Sequence, residues 1–143
     1  KMGNLNDAIS AYREGLTYSP VDFALLNNLS IAFMDKGDLE QAEHFARLSL
    51  VANSMSGDAN NTMGSIYFRK GEYSNAISYF LKAIELNPDI PSRYMNAALT
   101  FENLADFDKA YDYYLQYVNM EIDEASRQSA LLHINKLKSR LRP

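Results

Sequence analysis

Residues Gly71–Pro88 read GEYSNAISYFLKAIELNP, and their interpretation decides the fold. A glycine and an acidic residue precede a run of small, aromatic and aliphatic residues at helical spacing, and Asn87-Pro88 ends the run. Lys70-Gly71 suits a helix C-terminus, where a cation lies beside the last carbonyls and the next residue is free to take positive φ. Glu72 then opens a helix at the end where negative charge is favoured. Apolar residues three, four and seven apart share one helix face. The stretch therefore predicts a turn, one amphipathic helix and a stop signal.

The same register recurs every 34 residues along the chain. The turn position reads Gly3, Gly37, Gly71 and Ala105, and five residues later stand Ala8, Ala42, Ala76 and Ala110. Further on come Tyr12, Ala46, Phe80 and Tyr114, then Gly15, Ser49, Ala83 and Tyr117. Ahead of the turn lie the aromatics Phe33, Tyr67 and Phe101, preceded by the small residues Ser30, Gly64 and Ala98. Units end at Pro20, Ser54, Pro88 and Ile122. An alanine held at one column marks a close approach of two helices, since a larger side chain would push them apart. Each unit thus reads as a helical hairpin, with helices expected at 4–18, 22–36, 39–52, 57–70, 73–87, 92–104, 107–119 and 123–141.

A 34-residue helix–turn–helix with these small, glycine, alanine and proline columns resembles the tetratricopeptide repeat, over residues 1–122. The resemblance implies an all-α fold: an α-solenoid of stacked antiparallel hairpins forming a right-handed superhelix, each unit buried against its neighbours. Residues 1–143 then form one domain, with 1–22 the second helix of a partial repeat, 23–56, 57–90 and 91–122 the repeats, and 123–143 a capping helix. Ala130, Ile134, Leu137 and Leu141 form the stripe by which that helix covers the last hairpin, and Lys136, Lys138, Arg140 and Arg142 crowd its solvated end. Some columns depart from the family pattern. Asn60 stands where Leu26 and Tyr94 are bulky, Ala105 replaces the turn glycine, Tyr117 replaces a small residue, and no proline closes the unit near Ile122. Unit one lacks its first helix. Ala8, Tyr12 and Gly15 are expected to face that missing partner while Ile9 and Leu16 pack onto the next unit, which points to a longer native chain or a homodimer through this edge.

Composition narrows the function. The chain is 47% hydrophobic and 22% charged with a net charge of −4, an ordinary globular balance without the basic face that nucleic acid requires. No apolar run approaches the ~20 residues of a membrane span, so no membrane insertion is expected. Cysteine is absent, and His44 and His133 are the only histidines; Glu40 one turn before His44 does not complete a metal site. Neither a phosphate-cradling glycine loop nor a nucleophile elbow is present, and the carboxylates fall on solvated faces. The expectation is a chain that is not itself an enzyme and holds no cofactor or metal.

The resemblance also implies that first helices line a concave groove. Its candidate contacts are Asn27, Asn28 and Ile31; Asn61, Thr62, Ser65, Phe68 and Arg69; and Met95, Asn96 and Leu99. Amides can donate to and accept from a peptide backbone, and apolar neighbours can bury ligand side chains. Two readings of the amides stand open: a partial ladder, Asn28–Thr62–Asn96 flanked by Asn27 and Asn61, of the kind found in repeat-bearing glycosyltransferases, or asparagines that help satisfy neighbouring helix ends. The two-carboxylate clamp of co-chaperone relatives is not expected, because its cationic and amide slots hold Asn27, Ile31, Thr62, Ser92 and Asn96. Among Tyr111, Tyr113, Tyr114 and Tyr117, Tyr113 is expected outside and the rest in packing. The Asn28 and Asn60 sequons fall inside expected helices and are read as coincidental. The expected function is a scaffold or adaptor that binds a peptide segment or protein partner. Its alternatives are the substrate-recruiting arm of a larger enzyme, such as a glycosyltransferase, or a structural subunit of a secretion or pilus assembly.

Overall fold

The computed structural model describes residues 2–143, with side chains from Gly3 onward. Among the described residues there are eight α-helices: α1 Met2–Tyr18, α2 Phe23–Lys36, α3 Leu39–Ala52, α4 Gly57–Arg69, α5 Tyr73–Leu86, α6 Pro91–Asn103, α7 Phe107–Val118 and α8 Glu124–Leu137. Consecutive helices pack as antiparallel neighbours, and α2 also meets α4, as α4 meets α6. The result is an α-solenoid. α8 ends at Leu137, short of the expected 141, and a 3-10 turn over Lys138–Arg140 follows.

Local chemistry sets the helix ends. Asp22 caps α2 by accepting from the Ala24 and Leu25 amides at 3.0 Å. Asp38, Ser56, Asp106 and Asp123 accept in the same way at the starts of α3, α4, α7 and α8. Pro91 occupies the first turn of α6, where no N–H partner is needed. The turn inside each hairpin is one motif built three times. Asp38, Glu72 and Asp106 donate their amides back to Phe33, Tyr67 and Phe101 at 2.9 to 3.0 Å. Residues Gly37, Gly71 and Ala105 sit at φ of 88°, 78° and 59°. Ala105 therefore keeps the turn geometry and carries a left-handed backbone that glycine would adopt without strain.

Packing follows the columns. Ala42, Ala76 and Ala110 are fully buried. A Cβ on Gly64 would lie 2.6 Å from the Phe80 ring, so glycine is what lets α4 close on α5. In the preceding unit the matching residue Ser30 donates its hydroxyl to the Ala42 carbonyl at 2.7 Å. Asn60, in place of a bulky residue, is buried and donates to the carbonyls of Ser56 (2.8 Å) and Ser54 (3.4 Å), stitching the loop between units. Two core clusters, one around Met63 and one around Tyr114, share Ile77, Ile84 and Tyr113 at their border.

That border corrects one expectation. Tyr113 is half-buried, not outside; its ring lies 5.4 Å from Phe101 and 6.3 Å from Tyr94. Both rings belong to α6, so α7 turns a wider face onto its hairpin partner than the column spacing suggests. Gly15 is a second correction. A Cβ there would lie 3.0 Å from the Leu25 side chain, so it faces α2 of the next unit. Ile9 and Leu16 pack against the core as expected. Ala8 and Tyr12 border a half-open cleft with Asn28, Ile31, Ala32 and Asp35, whereas the counterparts Ala42 and Ala76 are sealed.

At the other end α8 caps the stack through Ala130, Ile134 and Leu137, all buried. Leu141 is half-buried beyond the helix. His133 Nδ1 lies 3.0 Å from Glu102 Oε2, which also accepts from the Tyr114 hydroxyl at 2.6 Å. The Tyr114 and His133 rings stack at 5.1 Å. Burial, then Glu102, push the Tyr114 phenol upward. Of the basic residues at the end, Arg140 covers the Phe107 ring at 5.1 Å.

Candidate functional site

Direct contact of α2 with α4 and of α4 with α6 makes the first helices of successive units one continuous inner wall. Their residues, with Phe80 of α5 and Ile90 of the loop before α6, line two clefts. The apolar one, about 210 Å³, is lined by Met34, Ser65, Phe68, Arg69, Phe80, Asn96 and Leu99. The polar one, about 260 Å³, lies nearer the starts of these helices and is lined by Asn27, Asn28, Ile31, Asp58, Asn61, Thr62, Ile90, Ser92 and Arg93. Between them Asn96 Nδ2 donates to Asn61 Oδ1 at 3.1 Å.

Ten of the candidate groove residues therefore line one cleft or the other, while Met95 is half-buried against the C-terminal core. The expected ladder is uneven. Asn28 is exposed and Asn96 half-buried, but Thr62 is only 4% exposed. Asn27 is 7% exposed, and its Oδ1 is buried with no hydrogen-bond partner. Arg69 is held in place: Nη1 donates to the Met34 carbonyl at 2.9 Å, and Nη2 lies 3.8 Å from Asp35 Oδ1. It thereby adds a second donor to a carbonyl in the last turn of α2 that also accepts from the Gly37 amide at 3.1 Å.

The site also has an anchor that the sequence reading missed. Arg93, 2% exposed, donates to the Ala83 carbonyl at 2.8 Å, to Asn87 Oδ1 at 3.0 Å and to Asp58 Oδ1 at 2.7 Å. One guanidinium thus ties α4, α5 and α6 together. A Cβ on Gly57 would lie 2.1 Å from Asn87 Oδ1 and 2.6 Å from Arg93 Nη1, so glycine opens the space for it. The signal was in the 34-residue register: the position after Arg93 by one unit is Arg127, which donates to the Val118 carbonyl.

Two further features lie outside the groove. On α3 and α4, Glu43 binds Lys70, accepts from Arg47 Nε at 3.0 Å and from the Tyr67 hydroxyl at 3.1 Å. The Lys70 hydrogen bond chiefly holds its carboxyl down at about 2. Separately, among the described residues six of the eight exposed large apolar side chains are Tyr18, Val21, Phe23, Leu48, Val51 and Met55. They sit where units one and two end, and Ser49 Oγ donates to the Phe23 carbonyl at 2.7 Å across that region. One unit later the positions of Leu48, Val51 and Met55 hold Lys82, Glu85 and Asp89, a contrast the register could have shown. Among the described residues no group of three or more His, Cys, Asp or Glu side chains could hold a metal ion, and no helix is long and apolar enough to cross a membrane.

Comparison with known proteins places this geometry in context. Tetratricopeptide repeat family models match residues 1–57, 57–90 and 91–121. Over 91 residues, 62% of this chain and 11% of the relative, it is 35% identical to protein O-mannosyl-transferase TMTC2 of Homo sapiens. It is 31% identical over 86 residues to tetratricopeptide repeat protein 21B of Xenopus laevis, covering 60% of this chain and 6% of that one. The chain thus spans about a tenth or less of the length of these curated relatives. A solved structure from the functional characterization of Pseudomonas aeruginosa pilF superposes with a TM-score of 0.86 at 19% identity, covering 97% of this chain and 62% of that one. At that identity the likeness concerns the fold alone.

Proposed function

Since the chain belongs to the tetratricopeptide repeat family, whose fold generally serves protein–protein interaction, we propose that its concave wall holds an extended segment of a partner protein. The observation that carries this reading is the apolar cleft between Met34, Phe68 and Leu99, which borders directly on the hydrogen-bonded Asn61–Asn96 pair. An apolar pocket flanked by amides can bury a ligand side chain while satisfying the ligand backbone. The chain itself is read as non-catalytic. Capture of a partner by the full-length protein, repeated with Phe68→Ala and with Asn61→Ala plus Asn96→Ala, tests it. Loss of the same partner in both variants is expected, with affinity falling by more than ~1 kcal/mol where buried hydrogen bonds are lost. Retained capture would move the interface to the exposed Tyr18–Met55 surface or the chain ends.

A second reading is favoured by the similarity to an O-mannosyl-transferase: the repeats would act as a partner- or substrate-recruiting arm within a longer polypeptide. The same groove would then present a protein to a catalytic domain elsewhere in that polypeptide.

A further inference from the structure

We propose that the groove selects a segment carrying one apolar side chain and one uncharged amide side chain, asparagine or glutamine, three residues apart. This rests on the groove reading above and specifies its ligand.

The apolar half follows from the cleft around Phe68. Met34, Phe68, Phe80 and Leu99 supply its walls, and its volume of about 210 Å³ admits one side chain of leucine, methionine or phenylalanine size. Arg69 at its rim is already engaged by the Met34 carbonyl and Asp35, so it does not call for an acidic ligand.

The amide half follows from charge in the second cleft. Its only ionised side chains, Asp58 and Arg93, neutralise each other at 2.7 Å. A charged ligand group there would meet a carboxylate already paired with Arg93 and a guanidinium that is itself buried. The remaining polar lining is neutral: Asn27, Asn28, Asn61, Thr62 and Ser92. Asn27, 7% exposed, also lines this cleft, and its buried Oδ1 has no donor within the described residues. A primary amide both donates and accepts without charge, which matches this lining.

The spacing follows from α4. Asp58, Asn61 and Thr62 line the polar cleft, and Ser65, Phe68 and Arg69 the apolar one, so their centres are about seven residues apart. At 1.5 Å per residue that separation is about 10 Å. An extended chain covers it in about three residues, and a polyproline-II segment returns to the same side every three.

A displayed random-nonapeptide library panned on the chain tests the proposal. Enriched sequences should pair Leu, Met or Phe with Asn or Gln at a three-residue spacing, in either chain direction. In synthetic peptides made from them, replacing the amide by Glu or Lys should weaken binding tenfold or more. Panning on Phe68→Ala should lose the apolar preference, and on Asn27→Leu the amide preference, with helicity by circular dichroism confirming that each variant folds. Binders that depend on Phe68 but carry a charged second position, or another spacing, overturn this inference and leave the groove reading standing. Binders indifferent to Phe68 and Asn27, or no enrichment at all, overturn both.

Discussion

Replacing Ala105 by glycine should stabilise the protein. Ala105 sits at φ 59°, in a turn whose counterparts Gly37 and Gly71 sit at 88° and 78°. An L-residue in the left-handed region costs about 1–2 kcal/mol. Glycine removes that cost but adds about 0.4–1 kcal/mol of chain entropy to the unfolded state. The net gain expected for Ala105→Gly is therefore about 0.5–1 kcal/mol, or a few degrees in Tm for a chain of this size. The reverse substitution supplies an internal control. A Cβ at Gly71 or Gly37 meets nothing within 4 Å, so Gly71→Ala changes backbone strain and unfolded-state entropy without any clash. It should cost about as much as Ala105→Gly gains. Urea denaturation followed by far-UV circular dichroism measures both, with unchanged slopes showing that the unfolded state is unaltered in compactness. Should Gly71→Ala destabilise while Ala105→Gly is neutral or harmful, the strain assigned to Ala105 would be wrong.

The remaining predictions concern acid, the interior anchor and the exposed apolar surface. Glu43, held at about 2 against an ordinary 4.5 chiefly by Lys70, contributes stability that is complete above about pH 4.5 and is lost as pH falls toward 2. In Lys70→Met the loss in urea stability at pH 7 should be on the order of 1–3 kcal/mol, and the acid limb between pH 4.5 and 2 should flatten. Arg93→Met removes the three bonds by which the guanidinium joins Ala83, Asn87 and Asp58 and should cost on the order of 1–3 kcal/mol. Gly57→Ala should also destabilise, and a double-mutant cycle with Arg93→Met should be clearly non-additive, because both act on one guanidinium. Val51→Glu with Met55→Asp, which copies the third unit's residues onto the exposed surface, should leave stability within about 0.5 kcal/mol and partner capture unchanged. Lost capture would assign the interface to that surface.

The 34-residue period made the helices legible because each column answers a local requirement that recurs wherever the hairpin does. Ala76 must be small because α4 crosses it, and the same crossing is rebuilt at Ala42 and Ala110. Residues outside the small-residue packing were harder to read. Tyr113 looked external, yet its ring packs on Phe101 and Tyr94 of its hairpin partner, at the border of the core clusters. Gly15 looked like half of a missing hairpin, yet it accommodates Leu25. Arg93 went unnoticed because its partners, Asp58 and the Ala83 carbonyl, lie on the preceding hairpin, where Gly57 leaves room for it. In the candidate groove the legible part was which helix face looks inward. The division of that face into an apolar and a neutral polar cleft was not legible, because it depends on Asn61 meeting Asn96 across two units and on Asp58 being neutralised by Arg93. Columns that repeat therefore describe how the hairpin closes. Columns that change from unit to unit differ in what they place on the surface, both along the clefts (Asn28, Thr62, Asn96; Ile31, Ser65, Leu99) and away from them (Leu48 and Lys82; Val51 and Glu85). A solenoid keeps the first set near-uniform to stack, and the second is free to vary.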